Sequence, residues 1–333
     1  MHSIALVSTN YFKFSETFIQ NHKNLLPANV HYLHGGYLPA CFNENQHFIE
    51  NPGNQQALKK AIIKYLVQNN IKAVLAEYGP SGVEMMDICD ETGIPLIVHF
   101  HGYDVYRHDV LLYYGKSYPK LFEKACALVV VSNHMKNHLE NSGAPAHKIV
   151  KTVCGADEKQ FNLINAGNNP PIFLFAGRFD ELKSPHLAIL AFAEVVKEVP
   201  ESRMIMIGNG HLMQACQILI KSLRLTGSVE LKGAVSHEEV IHTMQGCRSL
   251  ILPSITTPSG DREGTPVVIL EAGLSGLPVV STFHAGIPDV IINGSTGFLV
   301  EESDIAAMAQ KMIVLAREPQ TADALGKAAH EVA

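Results

Sequence analysis

Residues 260–276 read Gly-Asp-Arg-Glu-Gly-Thr-Pro-Val-Val-Ile-Leu-Glu-Ala-Gly-Leu-Ser-Gly, and much of the fold follows from them. They come after an apolar run at 249–253 that predicts a buried strand, and a loop rich in Ser, Thr, Pro and Gly. We expect a helix to begin near Gly264, with Pro266 in its first turn, where the missing N–H costs nothing. Its apolar face is predicted to consist of Val267, Val268, Leu270 and Leu274. Strand, loop and helix in this order form the repeating unit of a parallel α/β sheet.

The start of this predicted helix suits an anion. The backbone amides expected to point out of the helix end belong to Gly264, Thr265, Val267 and Val268. The helix dipole favours a phosphate at this position, and Gly264 lets a ligand come close.

Two carboxylates accompany the predicted anion site. Glu263 directly precedes the amides, and Glu271 lies about two helical turns further on, close to the same face. Because carboxylates repel phosphates, both are expected to bind hydroxyl groups, which is typical of a sugar-nucleotide site. The alternative is that Glu263 is a solvated acid favoured by the helix dipole and that Glu271 is a surface residue.

Composition indicates a globular chain with two domains. A length of 333 residues suits two cores of ordinary size, with 47% hydrophobic and 17% charged residues. No apolar run approaches the ~20 residues of a membrane span, and the first residues predict a strand instead of a signal peptide. We therefore expect a cytoplasmic protein. Six scattered cysteines without a Cys-x-x-Cys pair argue against a zinc site and a disulfide framework.

The net charge of −6 belongs to the second half of the chain. Residues 1–165 contain fourteen basic and fourteen acidic residues, which leaves twelve basic and eighteen acidic residues after them. No basic stripe is visible, so we expect no nucleic-acid partner. The balanced charge of the first half permits association with a membrane surface.

Strand-like and helical patterns alternate along the chain and define two domains. Residues 1–157 are expected to form an N-terminal Rossmann-like domain and residues 172–333 a C-terminal one, joined by a Pro- and Gly-rich linker at 158–171. Both sheets should be parallel, with right-handed crossovers and ligands at the carboxyl ends of the strands. The elements predicted in the first domain include a helix at 15–26 capped by Ser15, a polar loop at 39–54, a helix at 55–68 and a long helix at about 106–125.

Two cations are predicted at the carboxyl edge of the second sheet, the edge that the Glu263 loop also reaches. The strand at 172–176 leads into Gly177-Arg178, and Lys183 follows five residues later. Arg can bind phosphate oxygens in a bidentate manner, and Lys adds a mobile point charge. Together they could neutralise a diphosphate leaving group as its charge develops. The alternative is an exposed Arg and Lys in a solvated loop.

A series of short motifs resembles the retaining, nucleotide-sugar-dependent glycosyltransferases of the GT-B fold, a family 4-like group also described as glycosyl transferases group 1. In the second half the motifs are Gly177-Arg178 with Lys183, Gly208-Asn209-Gly210, Pro253-Ser254, Glu263-x7-Glu271 and Thr282-x-x-Ala-Gly-Ile-Pro-Asp289. In the first half they are Ser15-Glu16-Thr17-Phe18-Ile19 and His101-Gly102-Tyr103-Asp104. The resemblance covers essentially the whole chain. It implies two doubly wound α/β domains whose parallel sheets face each other across a cleft.

The resemblance assigns the donor site to the second domain. It implies that Arg178 and Lys183 bind the diphosphate, that Glu271 binds the ribose hydroxyls and that Glu263 binds the donor sugar. The donor would also contact the residues that follow Glu263, namely Gly264, Thr265, Pro266 and Val267.

The resemblance assigns His101 of the first domain to the reaction. This side chain would reach across the cleft towards the sugar and the reacting bond. We favour His101 over His99 because it stands next to Gly102, where the chain must turn. The alternative is that His101 is a structural histidine. The implied catalytic residues are thus His101, Glu263, Lys183 and Arg178.

The implied activity is transfer of a sugar, with retention, from a nucleotide-diphosphate donor to a carbohydrate or lipid-linked acceptor. The family mechanism needs no metal and no cofactor, and no Asp-x-Asp stands at a strand end. The Ser-Glu-Thr-Phe-Ile motif favours surface polysaccharide or lipopolysaccharide assembly, with peripheral association at the inner face of the cytoplasmic membrane. Two alternatives remain open: a GT-B sugar-nucleotide epimerase, and a nucleotide-sugar-binding module without turnover.

Two features depart from the family pattern. The loop at residues 9–15 lacks the Gly-Gly pair that many relatives carry after the first strand, so the resemblance does not extend to contacts from that loop. The sequence ends at Ala333 within a predicted helix, without the family's closing helix. We therefore expect a truncated chain with loosely coupled domains.

Overall fold

The computed structural model describes residues 2–11, 17–44, 46–51, 53–153 and 155–333. The chain divides into two compact units, Met1–Cys154 and Gly155–Ala333. Both are α/β units, so the predicted fold class with two doubly wound sheets is confirmed. Over the described residues, no helix combines the length and apolar character needed to cross a membrane.

The described residues of the first unit form an eight-stranded sheet. Its strands are β1 (Ser3–Val7), β2 (Asn29–His34), β3 (Cys41–Phe42), β4 (Gln46–His47), β5 (Val74–Glu77), β6 (Leu96–His99), β7 (Ala127–Val130) and β8 (Ile149–Lys151). The spatial order is β4-β3-β2-β1-β5-β6-β7-β8. Neighbouring strands in the series β2-β1-β5-β6-β7-β8 are parallel, as predicted. At one edge of the sheet, β3 pairs antiparallel with both β2 and β4.

This antiparallel edge lies where the sequence predicted only a polar loop at 39–54. The Cys41 side chain is buried, and the rings of Phe42 and Phe48 pack on Tyr65 at centroid distances of 4.8 and 5.3 Å. Burial of these rings stabilises a short hairpin that the polar composition conceals.

The helices of the first unit pack against this sheet. They are α1 (Thr17–Leu25), α2 (Gln55–Gln68), α3 (Gly79–Thr92), α4 (Tyr103–Tyr106), α5 (His108–Tyr114), α6 (Tyr118–Lys124) and α7 (Asn133–Asn141). The prediction for 55–68 is confirmed, while the predicted cap of the first helix, Ser15, lies outside the described residues. The single long helix predicted at 106–125 is wrong, because Arg107 is extended (φ −68°, ψ 128°) and Gly115–Ser117 forms a 3₁₀ turn.

The second unit, which is described throughout residues 155–333, has a six-stranded parallel sheet. Its strands are β9 (Ile172–Ala176), β10 (Arg203–Ile207), β11 (Val229–Gly233), β12 (Ser249–Leu252), β13 (Val279–Thr282) and β14 (Gly297–Val300). Its helices are α8 (Pro185–Glu198), α9 (Met213–Ser222), α10 (His237–Gln245), α11 (Val267–Leu274), α12 (Ile305–Arg317) and α13 (Pro319–Val332). Helices cover both faces of such a sheet, so its central strands are continuous apolar runs.

The order of these strands, β11-β10-β9-β12-β13-β14, fixes where a ligand can bind. Successive connections run to one side of β9 and then to the other, so β9 and β12 flank the point at which the topology reverses. In open α/β sheets, the loops at the carboxyl ends of such strands diverge and leave a crevice. The loop after β9 carries Arg178 and Lys183, and the loop after β12 carries Glu263.

Segment 158–171, which the sequence suggested as a linker, lies within the second unit. The Ile164 N–H donates to the Ser275 carbonyl, and the Asn169 side-chain amide donates to the carbonyls of Gln245 (2.9 Å) and Cys247 (2.7 Å). The buried Arg248 guanidinium in turn donates to the Asn169 carbonyl. Polar residues here satisfy buried backbone groups instead of facing solvent.

Helix α11 begins at Val267 instead of near Gly264, because Pro266 is extended (φ −65°, ψ 114°) and occupies the N-cap. The predicted apolar face is also wrong: Ile269 and Ala272 enter the core, while Val267 remains half-buried. Helix α11 packs against both the sheet and α13. Its buried residues are therefore Ile269, Glu271, Ala272 and Gly273, and not the valines and leucines of the predicted face.

Two glycines allow the loop after β10 to approach the loop after β9. Gly208 has φ +136°, and a Cβ there would lie 1.8 Å from the Gly177 carbonyl oxygen. A Cβ on Gly210 would lie 2.4 Å from the Phe179 carbonyl oxygen. The Gly-Asn-Gly motif is therefore required by close backbone packing beside the candidate site.

Replacement of Asn169 tests whether segment 158–171 is structurally integrated. We expect Asn169→Ala to lower the free energy of unfolding by about 1–3 kcal/mol, because two part-buried carbonyls lose their donor. The matched control is Asn168→Ala, an exposed neighbour in the same segment, which should change it by less than about 0.5 kcal/mol. Urea unfolding measures both, and equal effects would contradict the assignment.

Candidate active site

Lys183 and Glu263, predicted separately from the sequence, form an ion pair in the second unit. The Lys183 Nζ lies 2.7 Å from the Glu263 Oε1, and their side chains are 13% and 8% exposed. Burial alone would raise the pKa of Glu263, but the neighbouring Lys183 ammonium outweighs it and holds the pKa below its ordinary value. The alternatives of a solvated Glu263 and a solvated Lys183 are therefore wrong.

A network of hydrogen bonds fixes Glu263 from several directions. The Ser254 hydroxyl donates to the Glu263 Oε1 at 2.8 Å, and the Glu263 N–H donates to the His284 Nε2 at 3.0 Å. Because Nε2 accepts, His284 must carry its proton on Nδ1, which lies 2.6 Å from the Glu302 Oε1. The Thr256 N–H also donates to Glu302, so one carboxylate anchors both ends of the loop after β12.

Arg178 differs from Lys183 in being half exposed. Its Nε donates to the Asp180 Oδ2 at 2.9 Å, while the Asp180 Oδ1 accepts the Lys183 N–H at 3.0 Å. Asp180 therefore links Arg178 and Lys183, the two residues predicted to bind the diphosphate, through one carboxylate. The Arg178 side chain is 50% exposed and can reorient towards a ligand.

Glu271 is buried, so the alternative of a surface residue is wrong for it too. Its Oε1 lies 2.7 Å from the Nε2 of His237, the first residue of α10. This hydrogen bond raises the pKa of His237. Glu271 can accept a hydrogen bond, but in the structure its partner is the His237 imidazole. The family resemblance assigns this partner role to ribose hydroxyls.

The residues between Glu263 and α11 line the same loop. Gly264, Thr265 and Pro266 are buried, and Val267 is the half-buried first residue of α11. The Pro266 cap offers no side-chain acceptor to the helix amides. This loop therefore retains the character of an anion site, although the helix begins later than predicted.

His101 of the first unit binds a carboxylate that the sequence analysis did not single out. The His101 Nε2 lies 2.6 Å from the Oε2 of Glu77, which is fully buried at the end of β5. The other Glu77 oxygen lies 2.7 Å from the Nδ1 of His22, and the His99 Nδ1 is 3.5 Å from Oε2. Burial alone would raise the pKa of Glu77, but the bonds to His101 and His22 hold it well below its ordinary value.

The loop that carries His101 is shaped by Asp104. This buried carboxylate accepts the N–H groups of Gly79 (2.9 Å), His101 (3.0 Å) and Gly102 (2.9 Å). Burial raises the pKa of Asp104. The His-Gly-x-Asp motif is thus a backbone clamp, and Asp104 fixes the direction in which His101 leaves the sheet.

The sequence analysis missed Glu77, His22, His237 and Glu302. Glu77 had a usable signal, since a charged residue ends an otherwise apolar strand. His22, His237 and Glu302 had none, because each meets its partner through the tertiary fold.

Two family models match the chain. The model described as Glycosyl transferases group 1 matches residues 156–332, and the model described as Glycosyltransferase Family 4 matches residues 18–160. The first match alone covers more than half of the chain, and the two cover nearly all of it.

Two bacterial relatives resemble the chain in sequence. The putative colanic acid biosynthesis glycosyltransferase WcaL of Salmonella typhimurium is 31% identical over 248 residues, which are 73% of this chain and 61% of the relative. The amylovoran biosynthesis glycosyltransferase AmsK of Erwinia amylovora is 34% identical over 220 residues, which are 66% of this chain and 54% of the relative. The chain therefore spans only about half to three fifths of the relatives it matches.

A solved structure supports the fold. Anabaena HepE, in complex with UDP and glucose, matches 100% of this chain and 94% of its own chain with a TM-score of 0.79. At 16% sequence identity this likeness concerns the fold alone, and it supports the predicted GT-B class.

Replacing Lys183 should expose the cost of the buried Glu263 charge. We expect Lys183→Met to lower the free energy of unfolding by about 3–5 kcal/mol, because it leaves a buried carboxylate without a cation. The double variant Lys183→Met, Glu263→Gln should recover most of that loss. Lys197→Met, on an exposed pair of α8, is the control. A double variant no more stable than Lys183→Met alone would contradict the coupling.

The His237–Glu271 pair should make stability depend on pH. Because the folded pKa of His237 is raised, the pair's contribution is fully present below the unfolded pKa of about 6.5 and is lost as pH rises through the folded pKa. Wild type should therefore exceed His237→Asn in stability at pH 6 and approach it at high pH. His242→Asn, an exposed histidine on the same helix, should show no such trend. Thermal unfolding across pH measures this, and parallel curves would refute it.

Proposed function

The chain belongs to the glycosyl transferases group 1, and from this membership we propose that it is a retaining glycosyltransferase. The donor is a nucleoside diphosphate sugar, and the acceptor is a hydroxyl group of a carbohydrate or lipid-linked molecule. The observation that carries the proposal is the buried Lys183–Glu263 pair beside the topological switch point of the second sheet.

This pair suits a reaction in which negative charge grows on a leaving diphosphate. A desolvated ammonium stabilises such charge far better than a hydrated one does, and the half-exposed Arg178 adds a bidentate donor. In the structure the ammonium is paired with Glu263. A bound diphosphate would share Lys183, while Glu263 accepts hydrogen bonds from the donor sugar.

Glu271 and His101 complete the proposed assignments. Glu271 would bind the ribose hydroxyls once His237 gives way or shares the carboxylate. His101 would contact the donor sugar from the first unit. Because Arg178, Lys183 and the loop amides supply positive charge at the diphosphate, we expect the transfer to need neither a metal ion nor another cofactor.

The names of the relatives support a place in surface polysaccharide assembly. WcaL is named for colanic acid biosynthesis and AmsK for amylovoran biosynthesis. Because this chain spans only part of either relative, its own acceptor and pathway remain part of the proposal. We propose that it works in the cytoplasm, at the inner face of the cytoplasmic membrane.

A screen of UDP-, GDP- and ADP-sugars for thermal stabilisation tests the donor assignment, because a ligand that binds the folded state raises apparent stability. NMR analysis of the products then tests the reaction. Release of nucleoside diphosphate with retained anomeric configuration supports transfer. Conversion of the sugar while it stays attached to the nucleotide would indicate an epimerase, and binding without any conversion would indicate a binding module.

Three variants should separate the roles within the donor site. Glu271→Ala should weaken binding of the bare nucleoside diphosphate by about 1.5–3 kcal/mol, because a carboxylate acceptor for the ribose is lost. Glu263→Gln should leave that affinity undiminished, since Lys183 loses a competitor, but it should lower turnover. Lys183→Ala should reduce turnover strongly, because its contribution grows in the transition state.

Calorimetry with nucleoside diphosphate and donor-hydrolysis rates measure these effects, with Lys197→Ala as the control. Equal losses of diphosphate affinity in the Glu263 and Glu271 variants would refute the division of roles. Unchanged turnover in Lys183→Ala would remove that residue from the site.

A further inference from the structure

A cluster of polar side chains in the first unit lies outside the proposed donor site. Glu77 is the last residue of β5, and His99 is the last residue of β6. The two strands are parallel, and their register sets Glu77 directly beside His99. Registered neighbours on adjacent strands extend from the same face of a sheet, about 4.8 Å apart. The sheet itself therefore brings a carboxylate and an imidazole to one place.

Helix α1 adds a third side chain to this cluster. The His22 Nδ1 lies 2.7 Å from the Glu77 Oε1, and the His99 Nδ1 lies 3.5 Å from the Glu77 Oε2. His22, Glu77 and His99 each offer one ligand atom, and these three atoms lie within 4.8 Å of one another. Three potential metal ligands thus converge from α1 and from the ends of β5 and β6.

Glu77 is a buried carboxylate without an ammonium or guanidinium beside it. Its side chain is fully buried, and within the described part of the chain its ion pairs involve only histidines. Glu263, buried in the second unit, has the Lys183 ammonium instead. Taking a carboxylate out of water is costly unless a cation compensates it. A divalent metal ion would supply that charge.

The His99 imidazole is buried without a full set of partners. The residue is 4% exposed, and its Nε2 makes no hydrogen bond to any residue that the structure describes. Its Nδ1 faces Glu77 at 3.5 Å, which is longer than an ordinary N–H···O hydrogen bond. Buried polar groups are normally paired with protein, water or an ion. Coordination of a metal through Nδ1 would pair this ring with a ligand.

The donor set and its spacing suit a transition metal ion. Imidazole nitrogens and a carboxylate oxygen are common ligands of Zn²⁺, whereas Mg²⁺ and Ca²⁺ prefer oxygen ligands. Bonds of about 2.0–2.1 Å in a tetrahedral site place neighbouring ligand atoms roughly 3.3 Å apart. The separations from the Glu77 oxygens, 2.7 Å to His22 and 3.5 Å to His99, lie on either side of that value.

A cluster that only shares protons is the alternative. The His101 Nε2 lies 2.6 Å from the Glu77 Oε2, so His101 and His22 both stand at hydrogen-bond distance from the carboxylate. That arrangement leaves His99 without a hydrogen bond of ordinary length. A metal ion accounts for His99 as well, and His101 then acts as the hydrogen-bond donor that orients the ligating carboxylate.

We propose that His22, Glu77 and His99 bind one divalent transition metal ion of the Zn²⁺ type. The ion would join α1 to the ends of β5 and β6 and so stabilise the first unit. It is separate from the proposed glycosyl transfer, which is expected to need no metal ion. The cysteine pattern argued against a zinc site, but this donor set contains no thiolate.

Titration of the full chain with Zn²⁺, after removal of bound metal with a chelator, tests the site without any sugar donor. Calorimetry and elemental analysis are expected to give one Zn²⁺ per chain. The midpoint of thermal unfolding should rise with the Zn²⁺ concentration, because an ion that binds the folded state raises apparent stability.

Single replacements locate the ion. His22→Ala should weaken Zn²⁺ binding by more than about 100-fold, because residues that merely orient a ligand already contribute about 10–100-fold. Glu77→Gln should do the same, since an uncharged amide replaces the carboxylate. His147→Ala, an exposed histidine of the same unit, should keep the wild-type affinity. If Glu77→Gln does not fold, His22→Ala decides, because its side chain is 23% exposed and its loss opens no sealed core.

The outcomes are distinct. Absence of stoichiometric binding by wild type would overturn the proposal, and so would equal affinities of wild type and His22→Ala. Equal weakening in His147→Ala and His22→Ala would indicate scattered surface binding and would overturn it too. No donor is present in these measurements, so their failure leaves the proposed transfer intact, and failure of every nucleotide sugar to bind leaves the metal site intact.

Discussion

The candidate site of the second unit depends on a single constraint: a carboxylate taken out of water needs a cation beside it. Glu263 is buried at the carboxyl edge of the second sheet, and Lys183 lies 2.7 Å away. To bring them together, the loops after β9 and β12 must meet at the switch point. Two further features serve that requirement. Gly208 lets the loop after β10 approach the loop after β9, and the His284–Glu302 pair binds the loop after β12 through the Glu263 N–H.

The sequence predicted the parallel sheets and the bounds of α2, and it placed Lys183 and Glu263 at the same edge of the second sheet. These features depend on local periodicity and on residue type at strand ends. It could not predict that Lys183 and Glu263 pair, since the partner of a side chain is set by tertiary register. The prediction of one helix over 106–125 was wrong, because Arg107 is extended and Gly115–Ser117 forms a 3₁₀ turn. Glu77 shows the limit most clearly. A charged residue at the end of an apolar strand was visible, but the imidazoles that bind it come from α1 and from the loop after β6.

Each unit buries one carboxylate beside nitrogen-bearing side chains. In each, a carboxylate is buried near the switch point of a parallel sheet, Glu263 in the second unit and Glu77 in the first. Glu263 is paired with the Lys183 ammonium, and Glu77 is hydrogen-bonded to imidazoles. Both arrangements keep the pKa of the carboxyl group below its ordinary value despite burial, so both carboxylates remain ionised at neutral pH.

The partners of the two carboxylates differ in chemical kind. A lysine keeps its proton at neutral pH, so Lys183 is suited to hold charge on a departing diphosphate but not to accept a proton. Glu77 is instead bound by imidazole nitrogens, the His22 Nδ1 at 2.7 Å and the His101 Nε2 at 2.6 Å.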